Sequence, residues 1–205
     1  MLQRSSVWFD ARKGRFTASD IHKLLGVRGL GQTGESYIFE KAVEEVFGLD
    51  EEDSFVSIDM QRGVTLEPLA FRKFKELKEF DFLDVQETTF FSFGSHAGAS
   101  PDGLVGNDAI LEIKCPRPTK FFNLVAKGIE AIDKEYIAQM QMQMLCTNSV
   151  KAYFFNYIIF NGKEMWHEII VERDEPMIEI IKERLKEAIE IKLDYINKIK
   201  TNKQW

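Results

Sequence analysis

Cysteine is nearly absent from this chain. Cys115 and Cys146 are the two in 205 residues, and their separation forms neither a C-x-x-C metal pair nor a disulfide framework. Two thiolates are also too few for an iron–sulfur cluster. Histidine is scarce as well: His22, His96 and His167 are scattered without ligand spacing, and no catalytic histidine is assigned. No apolar run approaches the ~20 residues that cross a bilayer. The basic N-terminus lacks the apolar stretch of a signal peptide, so no membrane association and a reducing, cytoplasmic location are expected. Repeats, low-complexity tracts and Gly/Pro/Ser-rich linkers are missing too, which predicts a single domain over 1–205 with a core of its own. Finally, there is no cationic excess: 27 Lys and Arg against 33 Asp and Glu give a net charge of −6. That disfavours a protein that coats nucleic acid without specificity. It leaves room for an enzyme with a basic groove in an acidic exterior.

Seventeen Phe suggest a core packed partly with aromatics. Val7 to Leu25 reads as a short segment and then a helix, with Thr17 and Asp20 in a capping-box pattern. The glycines between Gly26 and Gly34 predict a mobile loop. Helical spacing marks Ser36–Phe47 and Met60–Phe80, with Pro68 assigned to a first turn. From Val85 to Phe93, β-branched and aromatic residues predict a strand. Short apolar runs follow at Leu104–Val105 and Ala109–Cys115. Helices are expected at Thr119–Lys127 and Lys134–Cys146. Two strands, Lys151–Phe160 and Lys163–Val171, join through Asn161-Gly162, a strong hairpin signal. A long amphipathic helix from about Pro176 closes the chain, with Ile178, Ile181, Leu185 and Ala188 on one face. The order predicts an α/β or α+β fold with a central mixed sheet flanked by helices.

The chemistry concentrates between Ala99 and Lys114. A turn at Gly106-Asn107-Asp108 would set Val105 opposite Ala109, Leu104 opposite Ile110, and Asp102 opposite Glu112. Like charges directly opposed on a sheet destabilise it; a divalent cation between them would remove that penalty. Strand alternation sends Ile110, Glu112 and Lys114 to one face and Leu111, Ile113 and Cys115 to the other. Lys114 thus shares a site with Glu112, while the Ile113 carbonyl stays near the cation. Oxygen donors suit Mg²⁺ or Mn²⁺ better than zinc. An ammonium there can favour deprotonation of an attacking water and stabilise charge developing on a phosphate. A short Asp…Glu-x-Lys pattern alone also fits an ordinary exposed hairpin.

Four stretches in order raise it above that level. They are Trp8-Phe-Asp-Ala-Arg12-Lys-Gly-Arg-Phe-Thr17-Ala-Ser19, Gly63-Val-Thr-Leu-Glu67-Pro68, Ser100-Pro-Asp-Gly running to Glu112-Ile-Lys114, and Tyr136-Ile-Ala-Gln139-Met-Gln141. With Pro101-Asp102 and Glu112-Ile113-Lys114, the sequence resembles the PD-(D/E)xK nucleases, which have a restriction-endonuclease-like core. More narrowly it resembles the YqaJ-type viral recombinases of the phage lambda exonuclease family. The resemblance implies a Mg²⁺-dependent exonuclease working 5′ to 3′ on the ends of linear double-stranded DNA, with a repair or restriction endonuclease and a noncatalytic DNA-end-binding module as the alternatives. It implies metal ligation by Asp102, Glu112, the Ile113 carbonyl and Glu67, with Lys114 assisting the attacking water. Arg12, Ser19, Ser100 and Gln139 would surround a 5′ phosphate. It further implies a trimer and a single-strand annealing protein as partner. Each residue has a plainer alternative: Glu67 as an acid in a first helical turn, Arg12 as a surface cation, Ser19 as a helix start, Ser100 as a turn. Tyr136, Gln139 and Gln143 share one helix face, whereas Ile137, Met140 and Met144 read as core and Gln141 as structural. For Trp8, packing is favoured over contact with a DNA end.

Overall fold

The structure, a computed structural model, describes residues 5–48 and 58–202. It opens with α1 (Ser6–Arg12), the two-residue strand β1 (Phe16–Thr17) and a 3₁₀ helix, Ala18–Leu24. Helices α2 (Gly31–Phe47) and α3 (Ile58–Phe80) follow. Five short strands come next: β2 (Val85–Glu87), β3 (Phe91–Phe93), β4 (Ala97–Ala99), β5 (Gly103–Val105) and β6 (Ala109–Lys114). After α4 (Pro118–Lys127) and α5 (Lys134–Thr147), the hairpin β7 (Lys151–Phe160) and β8 (Lys163–Glu172) leads into α6 (Glu175–Thr201).

The strands form two sheets. The larger has the order β2-β5-β6-β7-β8, antiparallel except for the parallel β6–β7 pair, so the expected mixed sheet is present. The smaller, β1-β4-β3, was not foreseen. The strand predicted over Val85–Phe93 is in fact two, β2 and β3, which leave for different sheets. Between them the Thr88 hydroxyl, buried, donates to the Pro101 carbonyl, a bond to a distant segment that local alternation cannot announce.

Other local expectations also yield to tertiary packing. Thr17 precedes a 3₁₀ helix and makes no side-chain cap, and Asp20 pairs instead with Lys23 at 2.9 Å. The expected glycine loop ends early because α2 already starts at Gly31. Within it Gly34 is buried, and a Cβ there would meet Leu30 and the Lys23 carbonyl at 3.1 Å. Pro68 lies inside α3 rather than in its first turn. Its ring removes the hydrogen bond to the carbonyl four residues back, just where the helix passes the site described below.

Three apolar clusters organise the layers. On one face of the large sheet, Ala70 and Phe74 of α3 pack on Leu111, Ile113, Tyr153 and Phe155. On the other, Leu124 of α4 and Met140 and Met144 of α5 pack on Ile110, Ala152 and Phe154. The third joins the small sheet, the 3₁₀ helix, α2 and α6 around Ala138 and Met142. Helix α5 therefore buries two opposite faces, and the row Tyr136, Gln139, Gln143 is left to address a third direction. Ile178, Ile181, Leu185 and Ala188 of α6 are essentially inaccessible, each of the larger ones contributing about 1.5–3 kcal/mol by burial.

Candidate active site

The β5–β6 hairpin carries the reactive groups. Gly103 pairs with Leu111, Leu104 with Ile110 and Val105 with Ala109, the register expected from the turn. Gly106, at φ 59°, supplies the left-handed turn conformation open to glycine. One residue beyond the last pair, the Asp102 N–H donates to the Leu111 carbonyl at 2.9 Å. The Ile113 N–H in turn donates to Asp102 Oδ2 at 2.7 Å. These bonds carry the ladder past its formal end and hold Asp102 beside Glu112.

Glu112 is 2% exposed and faces α5. Its Oε1 accepts from the Lys114 ammonium at 2.6 Å and from Gln139 Nε2 at 2.8 Å. Its Oε2 accepts from Gln143 Nε2 at 2.6 Å. Lys114 also reaches Gln139 Oε1 at 3.4 Å and lies over the Tyr136 ring, 4.6 Å from its centroid. Gln141 turns away and fastens the β8–α6 junction, donating to the Glu172 carbonyl and accepting from the Asp174 N–H.

The electrostatics show an excess of negative charge. Burial pushes the Asp102 carboxyl well above the usual carboxylate range, and the charges of Glu112 and Glu67 push it further. Burial alone would lower Lys114, but Glu112 and Asp102 outweigh it and hold the ammonium firmly protonated. Glu67 rises from α3, which packs on the opposite face of β6 from Glu112. It joins Ile113 in lining two adjoining clefts, of about 570 and 240 Å³. The larger cleft also presents Arg62, Arg117, Lys120 and Tyr136, and the smaller presents Asp102 and Thr88.

Among the described residues no three His, Cys, Asp or Glu side chains are already gathered as a metal cage. The oxygen donors expected from the sequence, Asp102, Glu112 and the Ile113 carbonyl, lie together on the β5–β6 hairpin, and Glu67 is near enough for its charge to act on Asp102. Hard oxygen donors with surplus negative charge fit Mg²⁺ or Mn²⁺. A cation meeting Glu112 Oε1 would compete with the Lys114 ammonium that occupies this oxygen.

A second polar group adjoins the first through Pro101. Trp8 Nε1 donates to Ser100 Oγ at 2.9 Å, and the Arg12 guanidinium lies 4.3 Å from the centre of the Trp8 ring. Arg12 Nη2 donates to Ser19 Oγ at 3.3 Å, and Ser19 lies 3.2 Å from Thr17 Oγ1. Arg12, Ser19 and Ser100 are thus brought into one network by Trp8, whereas Gln139 sits with Glu112 and Lys114. Sequence reasoning gave Gln143 a face but no task, and passed over the cleft cations Arg62, Arg117 and Lys120. The i, i+4 spacing of Gln143 from Gln139 was the available signal for the first; nothing local marked the others.

The model of the YqaJ-like viral recombinase domain matches residues 7–149. The chain belongs to that family. Its four motif stretches all fall inside the matched span, while β7, β8 and α6 lie beyond it. No curated protein matches by sequence. An alkaline exonuclease from Laribacter hongkongensis superposes at TM-score 0.81 with 28% identity, covering 96% of this chain and 97% of that one. The same exonuclease in complex with dAMP gives 0.82, with the same identity and coverage. A phage related exonuclease from Haemophilus somnus 129PT shares the fold at TM-score 0.68 and 19% identity, over 95% of this chain and 99% of that one. The YqaJ chain thus has the PD-(D/E)xK-like fold, and its C-terminal hairpin and helix belong to that architecture.

Proposed function

We propose that this YqaJ-family chain is a divalent-metal-dependent DNA exonuclease that degrades linear duplex DNA from 5′ ends, leaving single strands for recombination. The observation that carries the reading is the β5–β6 hairpin. It sets Asp102 beside Glu112, and Lys114 on the same strand bonds to Glu112 at 2.6 Å. The alkaline exonuclease resemblance supports action on DNA, and a bound mononucleotide in that relative is the kind of molecule that stepwise trimming releases.

Asp102, Glu112 and the Ile113 carbonyl would hold Mg²⁺ or Mn²⁺, with Glu67 closing on the ion from α3. When bound, the metal would supply Lewis-acid polarisation of the scissile phosphate and favour deprotonation of water. Lys114 holds its proton and offers positive charge to the phosphate oxygens in the transition state. Gln139 shares hydrogen bonds with Lys114 and Glu112 and orients water or phosphate beside them. The Arg12–Ser19–Ser100 network offers guanidinium and hydroxyl donors to a terminal 5′ phosphate, and Trp8 keeps Arg12 and Ser100 in register.

The same reading includes one nuclease domain over 1–205, a homotrimer around the DNA, a single-strand annealing protein as partner, and work in a bacterial cytoplasm. End-labelled duplexes with and without a 5′ phosphate, digested in Mg²⁺ by wild type and Lys114→Ala, test it. The expected outcome is stepwise release of nucleotides from phosphorylated 5′ ends by wild type alone. Cleavage of covalently closed circles, or undiminished digestion by Lys114→Ala, would overturn it.

A further inference from the structure

We infer that Gln143 is a positioning residue that splits the work of the two Glu112 oxygens, fixing Oε2 in the interior so that Oε1 alone is offered to the metal. The inference rests on the proposed metal-dependent reading of this site. Gln143 is 0% exposed, one helical turn beyond Gln139, and cannot itself reach substrate. Its Nε2 donates to Glu112 Oε2 at 2.6 Å. Lys114 and Gln139 both address Oε1 and belong to residues that are only partly buried. The carboxylate is therefore divided between an oxygen held by partly exposed groups, one of which, Lys114, lines the larger cleft, and an interior oxygen held by a group that cannot move away.

Two features argue against plain packing. With its amide nitrogen turned to the carboxylate, Gln143 Oε1 is left buried with no hydrogen-bond partner among the described residues. An unpartnered buried acceptor is costly, and Met or Leu would fill the same space without it. The donor is also neutral. A second ammonium or guanidinium in its place would hold Glu112 but add to the positive charge of Lys114 against a nearby cation, whereas an amide holds the carboxylate without adding charge. Groups that orient a metal ligand in this way typically change metal affinity by roughly 10–100-fold when removed.

The test is calorimetric titration of the DNA-free protein with Mn²⁺, comparing wild type with Gln143→Met. Circular dichroism and a thermal melt in EDTA check that each is folded. The expected result is roughly 10–100-fold weaker Mn²⁺ binding by the folded variant. A purely structural role would lower the melting temperature in EDTA and leave the affinity of the folded protein unchanged, which overturns the inference. Wild-type crystals soaked in Mn²⁺ provide a measurement that needs no variant. The ion should contact Glu112 through Oε1 only, with Oε2 still on Gln143; bidentate Glu112 with Gln143 displaced overturns it. Equal binding by both proteins removes the role of Gln143 alone, whereas a wild type that binds no Mn²⁺ removes the metal reading and this inference with it.

Discussion

Replacing Asp102 with Asn should make the metal-free protein more stable while abolishing cleavage. Asp102 stands beside Glu112, and its carboxyl is pushed upward by burial first, then by Glu112 and Glu67. Two carboxylates on opposed residues, whose Cβ atoms lie about 5 Å apart, repel by about 3 kcal/mol at an effective dielectric near 20 if the charges keep that spacing. Lys114 returns part of this through its bond to Glu112 at 2.6 Å, while lost hydration of the buried charge adds to the cost. A net penalty of about 2 kcal/mol is reasonable on these magnitudes. Asn keeps an oxygen for the Ile113 N–H, so the hairpin bond survives. For a chain of this size the gain is about 4–8 °C in melting temperature.

The sign can be checked against pH. The folded carboxyl titrates above its unfolded value of 3.8, so between the two values the native state holds more protons than the unfolded one. Stability therefore falls as pH rises through that window, and in Asp102→Asn this contribution to the slope disappears. Differential scanning fluorimetry in EDTA, across pH 4–8, measures both effects. Added Mg²⁺ should raise the wild-type melting temperature and leave the variant's nearly unchanged. If Asp102→Asn melts at or below wild type in EDTA at the alkaline end of that range, the claim that this carboxylate is held against its own electrostatics is wrong.

Lys114→Met should lower the cleavage rate by about 10²–10⁴-fold without weakening Mn²⁺ binding, because it removes the ammonium that competes for Glu112 Oε1; calorimetry and a gel assay read the two separately. Arg12→Ala should reduce the preference for 5′-phosphorylated over 5′-hydroxyl ends by about 10–100-fold, the worth of a charge-assisted hydrogen bond. A competition assay with both ends measures it, and an unchanged ratio refutes the role. Lys192 is fully buried and donates to the Gly14 carbonyl at 2.8 Å and to Glu45 at 2.7 Å. Lys192→Met should therefore cost about 2 kcal/mol, or roughly 4–8 °C, in a thermal melt in EDTA.

The hairpin was legible because its signals are local: a turn, period-two alternation, and two acids that register alone brings together. The faces of α5 were legible for the same reason, since Met140 and Met144 enter the core and Gln141 turns from the site. What failed was decided at long range. Val85–Phe93 alternates like one strand, but the Thr88–Pro101 bond and a second sheet divide it. Gly31 and Gly34 read as loop, yet helix α2 contains both, and Gly34 lets it approach Leu30 and the Lys23 carbonyl. Lys192 falls on the apolar stripe of α6 four residues after Ala188, and only the fold shows that Gly14, Glu45 and His96 wait for it there. For Gln143 the helix face could be read, but not the carboxylate opposite, because β6 is brought to α5 by the sheet rather than by the chain.

An acidic chain that handles DNA must do so through local charge, and the cleft indicates how much is available. Its basic groups are Arg62, Lys114, Arg117 and Lys120, with Arg12 in the adjoining network. Lys114 pairs with Glu112 and Lys120 with Asp133, and Arg62 donates to the Cys115 carbonyl. Counting all of these pairings as exchangeable, the cleft and the adjoining network offer phosphates about five cations, Arg12, Arg62, Lys114, Arg117 and Lys120. Each neutralised phosphate contributes about 0.9 to the slope of log affinity against log salt on duplex DNA. One chain binding a duplex end should then show a slope no steeper than about −4.5, read by fluorescence anisotropy between 50 and 200 mM salt with Ca²⁺ in place of Mg²⁺. A slope beyond about −6 would mean that the duplex follows a longer phosphate track than this cleft offers, and end recognition by Arg12 and its neighbours would no longer account for binding.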